Sequence, residues 1–548
     1  MNASTPYSDK SLVLKPRHIL AVFALIWVSV DTAAEAIKLQ QEQLELFVDR
    51  HLIERTSGVE LRLNRPTDRG PVMTFDAPWE GPYVAYITIF KDGPTYRMYY
   101  RGKPELTPTG DKNEVTCYAE STDGIQWHRP VLRLFEVRGT RDNNVILDSS
   151  FSPIPTDFSP FLDTRPGVPA AEKYKALGGR FDGQVGHLDA TQAEPAPGVV
   201  RIRSSGGLLA LASADGIHWG KMSDRPVISR QNYPHSADPS LFPAWWSEHE
   251  NCYVTLIRTR TTVAEVDRVR RQGGIVAPAS GGDMRWIGRA TSQDFLNWSK
   301  VEMMDYISPP GEQIYTNNTS PYFRARHLYI GLAARIVFDR PVITKEEAEK
   351  IQVNPLYLND VAEPVLFTSR GGNRYDRTFM EPLVPNGIGP GDWTSRNNYP
   401  ALNIVPTGEN EMSLYVEKGY GQPSHHLRRY TLPTDRLASV GASLKGGEFV
   451  TKPLVFVGKA LLINYATSVL GGVRVEIQDA SGKPIPGFTE AEAVELAGNH
   501  IERRVAWKQG SDLSRLAGTP VRLRFLLKAA DVYALRFTST SPASNKRQ

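Results

Sequence analysis

Carboxylates recur just before strand-like runs of this sequence, at places far apart along the chain. Glu80 precedes YVAYITIF, Asp163 lies before EKYKALGG with Asp157 upstream, Asp238 lies before NCYVTLIR, and Glu312 before HLYIGLAAR. Carboxyl pairs perform glycosidic hydrolysis, because one stays protonated to assist the leaving oxygen while the other attacks or activates water. Any one of these acids could instead cap a turn or pair with an arginine. Their recurrence before successive strands favours the catalytic interpretation.

Aromatic and basic side chains near the same runs could hold a ligand. Trp79, Trp245 and Tyr315 could stack on sugar faces, although aromatic residues of β-proteins more often pack in cores. Arg258 and Arg335 could bind an acidic sugar such as a uronate or a sulfate ester. Pairing of these arginines with nearby acids is the stronger expectation. These five residues, together with Asp157 and Glu312, form the candidate substrate-binding set.

A repeated phrase indicates which elements would position these residues. It reads STDGIQW at Ser121, SADGIHW at Ser213 and SQDFLNW at Ser292, with a degraded copy, SRGGNRY, at Ser369. The copies start 92, 79 and 77 residues apart, and each follows a β-rich run. A fixed period of this kind indicates repeated supersecondary units. Asp and Gly favour tight turns, so the phrase itself is predicted to be structural.

Repeats of about 80 residues with about four strands each predict the blades of a β-propeller. With the distal run at 398–421, the natural count is five blades over residues 71–436. The alternating apolar runs of 437–540 predict a β-sandwich. Residues 37–70 are expected to form a lead segment with a short helix-like start, and 541–548 a disordered tail. The predicted fold class is all-β.

This arrangement resembles the five-bladed propeller glycoside hydrolases, the clan of invertase, levanase and arabinanase-type enzymes in families 32 and 43, and secreted family 32-like proteins. The resemblance covers residues 75 to about 435, and Glu80, Asp163 in FLDTRP and Asp238 in SADPSLF match the clan's acids by position. The details depart from the clan: no NDPNG motif is present, DTRP replaces RDP, and Asp stands where the clan has Glu as acid. The architecture therefore carries over better than the specificity.

The resemblance and the placement of the acids imply three roles. Glu80 is expected to act as nucleophile or base, Asp163 to orient the substrate and tune pKa values, and Asp238 to act as general acid. Asp157 and Glu312 would replace them if the blade register differs by one loop. No organic cofactor is expected, and the sequence neither requires nor excludes a structural cation.

The N-terminus predicts export. Basic residues precede the apolar run at 19–30, and small residues follow, as in a secretory signal peptide over residues 1–36. Twelve apolar residues are few for a membrane span, although an uncleaved anchor is the alternative. The mature protein is then expected outside the cytoplasm or in the periplasm, with no membrane association. Cys117 and Cys252 are expected to be two buried thiols rather than a disulfide.

Composition limits the remaining classes. The chain of 548 residues is 41% hydrophobic and 23% charged with a net charge of +4, and it shows no basic stripe, so nucleic acid is not an expected partner. Three hypotheses remain, all with a carbohydrate partner. They are a glycoside hydrolase, a non-catalytic carbohydrate-binding propeller, and a sialidase-like hydrolase with three arginines and a tyrosine nucleophile.

Overall fold

The computed structural model describes residues 35–105, 114–151, 154–180, 206–229, 231–232, 240–260, 264, 267, 284–306 and 312–539. By internal contacts the chain divides into Met1–Glu35 and Ala36–Gln548, and the strands and helices of the described residues lie in the second unit. Apart from its last two residues, the predicted signal peptide lies outside the described residues, as does the predicted tail. Among the described residues no helix is long and apolar enough to cross a membrane.

The N-terminal segment is formed by strands rather than by the expected helix. These are β1 (Ile37–Lys38), β2 (Leu44–Leu46), β3 (Ile53–Ser57), β4 (Val59–Leu63) and β5 (Thr67–Thr74). The Gln- and Glu-rich sequence has reasonable helix propensity, but propensity is a weak prior that tertiary pairing overrides. Leu44 and Leu46 are buried, and β2 pairs with a C-terminal strand at residues 534–536. The lead is therefore an integral part of the β-structure.

The first three blades follow directly along the chain. Blade 1 contains β6 (Ala85–Asp92), β7 (Thr95–Gly102), β8 (Val115–Ser121) and β9 (Val145–Leu147). Blade 2 contains β10 (Ser159–Leu162), β11 (Tyr174–Arg180), β12 (Gly207–Ser213), β13 (Gly220–Lys221) and β14 (Ile228–Ser229). Blade 3 contains β15 (Ala244–Ser247), β16 (Cys252–Arg260), β17 (Arg285–Ser292) and β18 (Glu302–Met303). Each blade is an antiparallel meander.

Two further blades complete the propeller. Between blades 3 and 4, β19 (Asp305–Tyr306) pairs in parallel with β23 (Arg374–Tyr375). Blade 4 contains β20 (Ile314–Tyr322), β21 (Ala325–Val337) and β22 (Val361–Ser369), and the short helix α1 (Lys345–Lys350) lies between its last two strands. Blade 5 contains β24 (Val405–Pro406), β25 (Glu411–Lys418) and β26 (His426–Pro433), and β5 adds its outer strand. The N-terminal strand thus closes the ring, and the prediction of five blades is confirmed.

The C-terminal strands form one bent sheet around their own core. They are β27 (Ala438–Ala442), β28 (Gly447–Thr451), β29 (Leu454–Val455), β30 (Ala460–Asp479), β31 (Asn499–Arg504) and β32 (Val521–Thr538). The long strands β30 and β32 pair along most of their length with a break in register between Thr467 and Gly472. Phe449 and Phe525 stack inside at 4.5 Å between ring centroids. This layered all-β core agrees with the predicted sandwich.

The repeated phrase forms the same turn in blades 1, 2 and 3. In blade 2 the Asp215 carboxylate accepts hydrogen bonds from the backbone N–H groups of Ile217 and His218, both at 2.8 Å. Ser213 accepts from the Gly216 N–H at 2.9 Å. Although burial opposes it, the pKa of Asp294 in the third copy is lowered to about 2 by the equivalent backbone bonds. The predicted structural role of the phrase is confirmed.

Candidate active site

The innermost strands of the blades bring residues from distant parts of the chain to the propeller axis. Strand β10 contacts β6 and β15, β15 contacts β20, and β24 contacts β6. Because blades are arranged radially, residues at the starts of these strands converge at one end of the central channel. That end is the place where the sequence predicts the site.

Tyr315, the second residue of β20, lies at the centre of a group of arginines. The guanidinium carbons of Arg258, Arg285 and Arg396 lie 4.5, 5.3 and 5.7 Å from the centroid of its ring. Arg258 also donates a hydrogen bond to the backbone carbonyl of Tyr315 at 2.7 Å. The Tyr399 ring, from blade 5, lies 5.1 Å away between centroids. Three cationic planes and two phenols therefore meet at the axis.

Tyr86 and Asp157 extend this group toward blades 1 and 2. Tyr86 is the second residue of β6, as Tyr315 is of β20, and Asp157 comes two residues before β10. Burial raises the pKa of Tyr86, and so do the nearby Tyr315 and the negative charge of Asp157. We call Tyr86, Asp157, Arg258, Arg285, Tyr315, Arg396 and Tyr399 the axial cluster.

The backbone around the axial cluster adopts costly conformations. Tyr86, Arg396 and Asn398 have φ values of 61°, 60° and 62°, in the left-handed region that non-glycine residues seldom occupy. Each such residue costs about 1–3 kcal/mol and persists only where the surrounding structure enforces it. Ten other non-glycine residues of the described chain also have positive φ, so the backbone strain does not by itself mark the site.

Behind Tyr86 lies a buried acid that sequence reasoning missed. Glu417, in β25, is fully buried, and burial raises its pKa well above the usual range. Arg101 and the backbone N–H groups of Tyr86 and Ile87 oppose that rise only in part. Arg101 also lies 4.7 Å from the Tyr86 ring and donates to the Tyr83 carbonyl at 3.0 Å. Glu417 and Arg101 thus hold the strained start of β6 from behind.

Glu80 does not face the axis but is enclosed within blade 1. Its carboxylate accepts two hydrogen bonds from Arg129, at 2.8 and 2.9 Å, and others from the Tyr100 hydroxyl and the Ala77 N–H. Its side chain is fully buried. These bonds occupy both oxygens, so the geometry gives Glu80 a structural ion pair in place of the predicted role as nucleophile or base.

Asp163 lies at the wrong end of its strand for the predicted role. It directly follows β10, whereas Asp157 precedes the same strand. Its carboxylate accepts hydrogen bonds from Lys175 and Tyr253, both at 2.6 Å, and from the Arg165 N–H at 2.9 Å. The structure therefore does not bring Glu80 and Asp163 together. Asp238, the predicted general acid, lies outside the described residues.

The other candidate binding residues divide between the axis and the packing of the blades. Arg258 and Tyr315 belong to the axial cluster, whereas Glu312 is bound by Arg335 and Arg377, and Arg335 also binds Glu363.

The two tryptophans are packing residues. The Trp79 indole donates to Asn144 at 2.8 Å, and Trp245 is buried against Tyr329 at 4.9 Å between centroids. Both side chains therefore pack within the blades, as aromatic residues of β-proteins more often do.

The axial cluster has the chemistry of an anion-binding site that includes the Asp157 carboxylate, and the Asp360 carboxyl group also lies near Arg285 and Arg396. Guanidinium groups recognise carboxylates and sulfates through paired hydrogen bonds, and phenols add donors and apolar faces. Within the described residues no group of three or more His, Cys, Asp or Glu side chains is placed to hold a metal ion. Cys117 and Cys252 are both buried free thiols in different blades.

Comparison with known proteins gives distant structural likenesses and no family. No protein-family model and no curated protein matches the chain. Among solved structures, the chain is similar to a glycoside hydrolase with TM-score 0.41 and 10% identity, over 67% of this chain and 92% of that one. An N-acetylgalactosamine deacetylase from F. plautii gives TM-score 0.39 and 12% identity, over 69% and 96%. The GH32 β-fructofuranosidase of Bombyx mori gives 0.32 and 10%, over 88% and 95%. At these values none of the likenesses assigns an activity to this chain.

Proposed function

We propose that this chain is an exported glycoside hydrolase that cleaves a poly- or oligosaccharide carrying an acidic group. The observation that supports the proposal is the axial cluster, in which Asp157 and three guanidinium groups meet at the start of the inner strands. A carboxylate or sulfate of the substrate would bind the arginines, and the scissile bond would lie toward Asp157. Export follows from the basic, apolar and small-residue pattern of residues 1–36.

The proposed roles use the acids that precede the inner strands. Asp157 lies two residues before β10 and would act as base or nucleophile. Asp238 precedes β15, the inner strand of the next blade, and would act as general acid. Two carboxyl groups are required because protonation of the leaving oxygen and attack at the anomeric carbon occur on opposite sides of the bond. Glu417 would act as a positioning residue behind Tyr86.

Two other functions have an observation in their favour. The axial cluster, as defined from the described residues, contains one acid, Asp157, whereas hydrolysis requires two carboxyl groups. This composition suits a propeller that binds an acidic sugar without cleaving it. Tyr315, enclosed by three guanidinium groups, suits a sialidase-like reaction in which a tyrosine attacks and the arginines hold the substrate carboxylate. Both alternatives share the predicted anionic ligand with the proposal. Turnover separates the binding function from the two reactions, and variants separate the two reactions from each other.

Release of reducing sugar tests the proposal. The purified mature chain would be incubated with neutral polysaccharides and with polysaccharides that carry uronates or sulfate esters. We expect turnover on the acidic set only, and a loss of at least 1,000-fold in kcat for Asp157→Asn with substrate affinity changed less than tenfold. Asp238→Asn should behave alike. Asp224→Asn, at an exposed turn of blade 2, is the matched control.

The variants also separate the three functions. If Tyr315→Phe abolishes turnover while Asp157→Asn retains it, the sialidase-like reaction replaces the proposal. If acidic glycans bind at the axial cluster and no sugar is released from any substrate, the binding function replaces it. Turnover on neutral polysaccharides alone would contradict the proposed substrate class.

A further inference from the structure

A cavity of about 620 Å³ lies beside the axial cluster. It opens between blade 5, the start of blade 1 and the segment that follows helix α1. Tyr83 lines it, and the Tyr357 and Tyr420 rings pack on Tyr83 at 6.0 and 5.8 Å between centroids. Tyr357 and Tyr420 also contact the Arg396 guanidinium, so the three tyrosines stand between this cleft and the axial cluster. We call this cavity the tyrosine-side cleft.

His425 also lines the cleft and is almost fully buried. Its ring packs against Phe75 at 5.0 Å and Tyr420 at 5.8 Å between centroids. Within the described part of the chain, neither ring nitrogen has a partner with hydrogen-bonding geometry, although the Gly81 backbone contributes a favourable contact. A buried polar group without a hydrogen bond destabilises the fold, and native proteins rarely retain one without a reason.

Glu417 lies next to His425, and one of its carboxyl oxygens also has no hydrogen bond within the described part of the chain. Its Oε2 atom is 3.9 Å from His425 Nε2, beyond hydrogen-bonding distance, and has no hydrogen-bond partner among the described residues. Burial lowers the pKa of His425 to about 3 and raises the pKa of Glu417 well above the usual range. The His425 imidazole is therefore neutral at neutral pH. A neutral imidazole offers one donor and one acceptor, which a ligand hydroxyl matches because it also has both.

The lining of the cleft sets the class of ligand. The described residues that line it include no Asp, Glu, Lys or Arg, so they offer no group that would compensate a charged ligand. Phe75, Pro82 and Val353 provide apolar faces, and Gln352 provides an exposed amide. Apolar faces with a few hydroxyl-binding groups suit the C–H faces and hydroxyls of a sugar ring, and the volume is within the range of small-molecule sites. This lining contrasts with the cationic axial cluster.

We propose that the tyrosine-side cleft is a second carbohydrate site that binds a neutral pyranose ring, with His425 hydrogen-bonding a ring hydroxyl. The proposal does not rest on hydrolysis at the axial cluster, because its ligand, lining and key residue are different. It also accounts for the retention of a buried imidazole whose nitrogens make no hydrogen bond of ordinary geometry within the described chain.

Ligand-observed saturation-transfer NMR with the full mature chain tests the proposal. The probes are methyl β-D-galactopyranoside, methyl α-D-mannopyranoside and methyl β-D-xylopyranoside, with glycerol and galacturonate as comparison ligands. We expect saturable binding of at least one neutral glycoside. His425→Phe, which keeps the ring size and removes both nitrogens, should weaken it at least tenfold and raise the melting temperature.

A second variant blocks the cleft from its rim. Pro423 is exposed and lines the cleft, so Pro423→Trp should fill the entrance and also weaken binding at least tenfold. Pro520→Trp, at an exposed turn before β32, is the matched control and should bind like the parent chain. Arg258→Ala, in blade 3, should leave binding of the neutral glycoside within threefold, which separates this site from the axial cluster.

The outcomes decide the proposal in either direction. Loss of binding in His425→Phe and Pro423→Trp, with Pro520→Trp and Arg258→Ala unchanged, supports it. Absence of saturable binding by all three glycosides, or binding that both cleft variants retain, overturns it. Loss of glycoside binding in Arg258→Ala with retention in the cleft variants would assign the sugar to the axial cluster instead. Equal binding of glycerol would reduce the cleft to a general hydroxyl pocket and also overturn it.

Discussion

Replacement of Asp163 by Asn separates a structural acid from a catalytic one. The Asp163 and Lys175 side chains are essentially inaccessible, at 0% and 1% exposure, and their charged atoms are 2.6 Å apart. Tyr253 donates to the same carboxylate oxygen. The change to Asn removes the negative charge with little change in volume and leaves the Lys175 ammonium buried. We therefore expect a loss of stability rather than a specific loss of turnover.

The magnitude follows from the partners that remain. Breaking a buried ion pair by removing one charge typically costs about 3–5 kcal/mol, because the other charge is left uncompensated. Glu172 lies 3.1 Å from Lys175 and is about one-third exposed, so it can compensate part of that charge through a partly solvated contact. We expect about 3 kcal/mol, the lower end of the range.

Urea unfolding followed by tryptophan fluorescence measures this loss. The double variant Asp163→Leu with Lys175→Met removes both charges and should recover at least half of the stability lost by Asp163→Asn, since it leaves no buried charge from this pair. Asp224→Asn, at an exposed turn of the same blade, should shift stability by less than about 0.5 kcal/mol. A loss below about 1 kcal/mol, or a collapse of turnover with unchanged stability, would refute the reasoning and return Asp163 to the catalytic residues.

Three other predictions concern a turn, a buried acid and the N-terminus. Gly216→Ala should cost about 1–3 kcal/mol in urea unfolding, because Gly216 has φ of 79° and a Cβ there would lie 2.6 Å from the Tyr99 hydroxyl, whereas Gly220→Ala meets nothing within 4 Å among the described residues and should be nearly neutral. Although burial opposes it, the charge of a neighbouring arginine lowers the pKa of Glu45 to about 2, so its contribution of about 3 kcal/mol is complete above the unfolded value near 4.3 and is lost as pH falls toward 2; Glu45→Gln should flatten that part of the stability profile measured between pH 5 and 2. N-terminal sequencing of exported protein should begin between residues 33 and 40, and an intact Met1 on exported protein would contradict the signal peptide.

The sequence predicts the outer strands of the blades better than the inner ones. The sequence places acids before runs such as NCYVTLIR and HLYIGLAAR, which are strongly apolar, yet these runs are the second strands of their blades. The true inner strands of blades 2 and 4 are SPFL and IYTNNTSPY, which are short or polar. Short or polar runs lack the periodicity that reveals a half-buried strand, whereas the inner strand of blade 1, AYITIFKD, is apolar and is recognised from the sequence.

This misassignment by one strand explains the error at Asp163. With Tyr174–Arg180 taken as the inner strand, Asp163 is an acid that precedes it; with β10 as the inner strand, Asp163 follows it and Asp157 precedes it. Asp157 is one of the two acids that the sequence analysis gives as replacements if the blade register differs by one loop. Arg285, Arg396 and Tyr399 were missed because the third strand of blade 3 and a loop bring them to this site, which no local pattern indicates. Tyr86 had a signal, since it occupies the same place in β6 as Tyr315 in β20.

The two ends of the propeller axis differ in how their polar groups are satisfied, and this difference bears on where the chain acts. Beyond the C-terminal end of β10, Asp163 has three hydrogen bonds with ordinary geometry and a buried cationic partner. At the opposite end, three guanidinium groups crowd one phenol, and Tyr86 and Arg396 hold left-handed backbone. Such backbone is not confined to this end, because Phe295, whose ring lies 5.2 Å from that of Tyr253, has a φ of 69° at the Asp163 end. The crowding of cationic groups is therefore the feature that distinguishes the two ends. Substitution of Tyr86 or Arg396 by glycine should weaken binding of acidic glycans and also destabilise the fold, because the lost side-chain contacts outweigh about 1–3 kcal/mol of relieved strain.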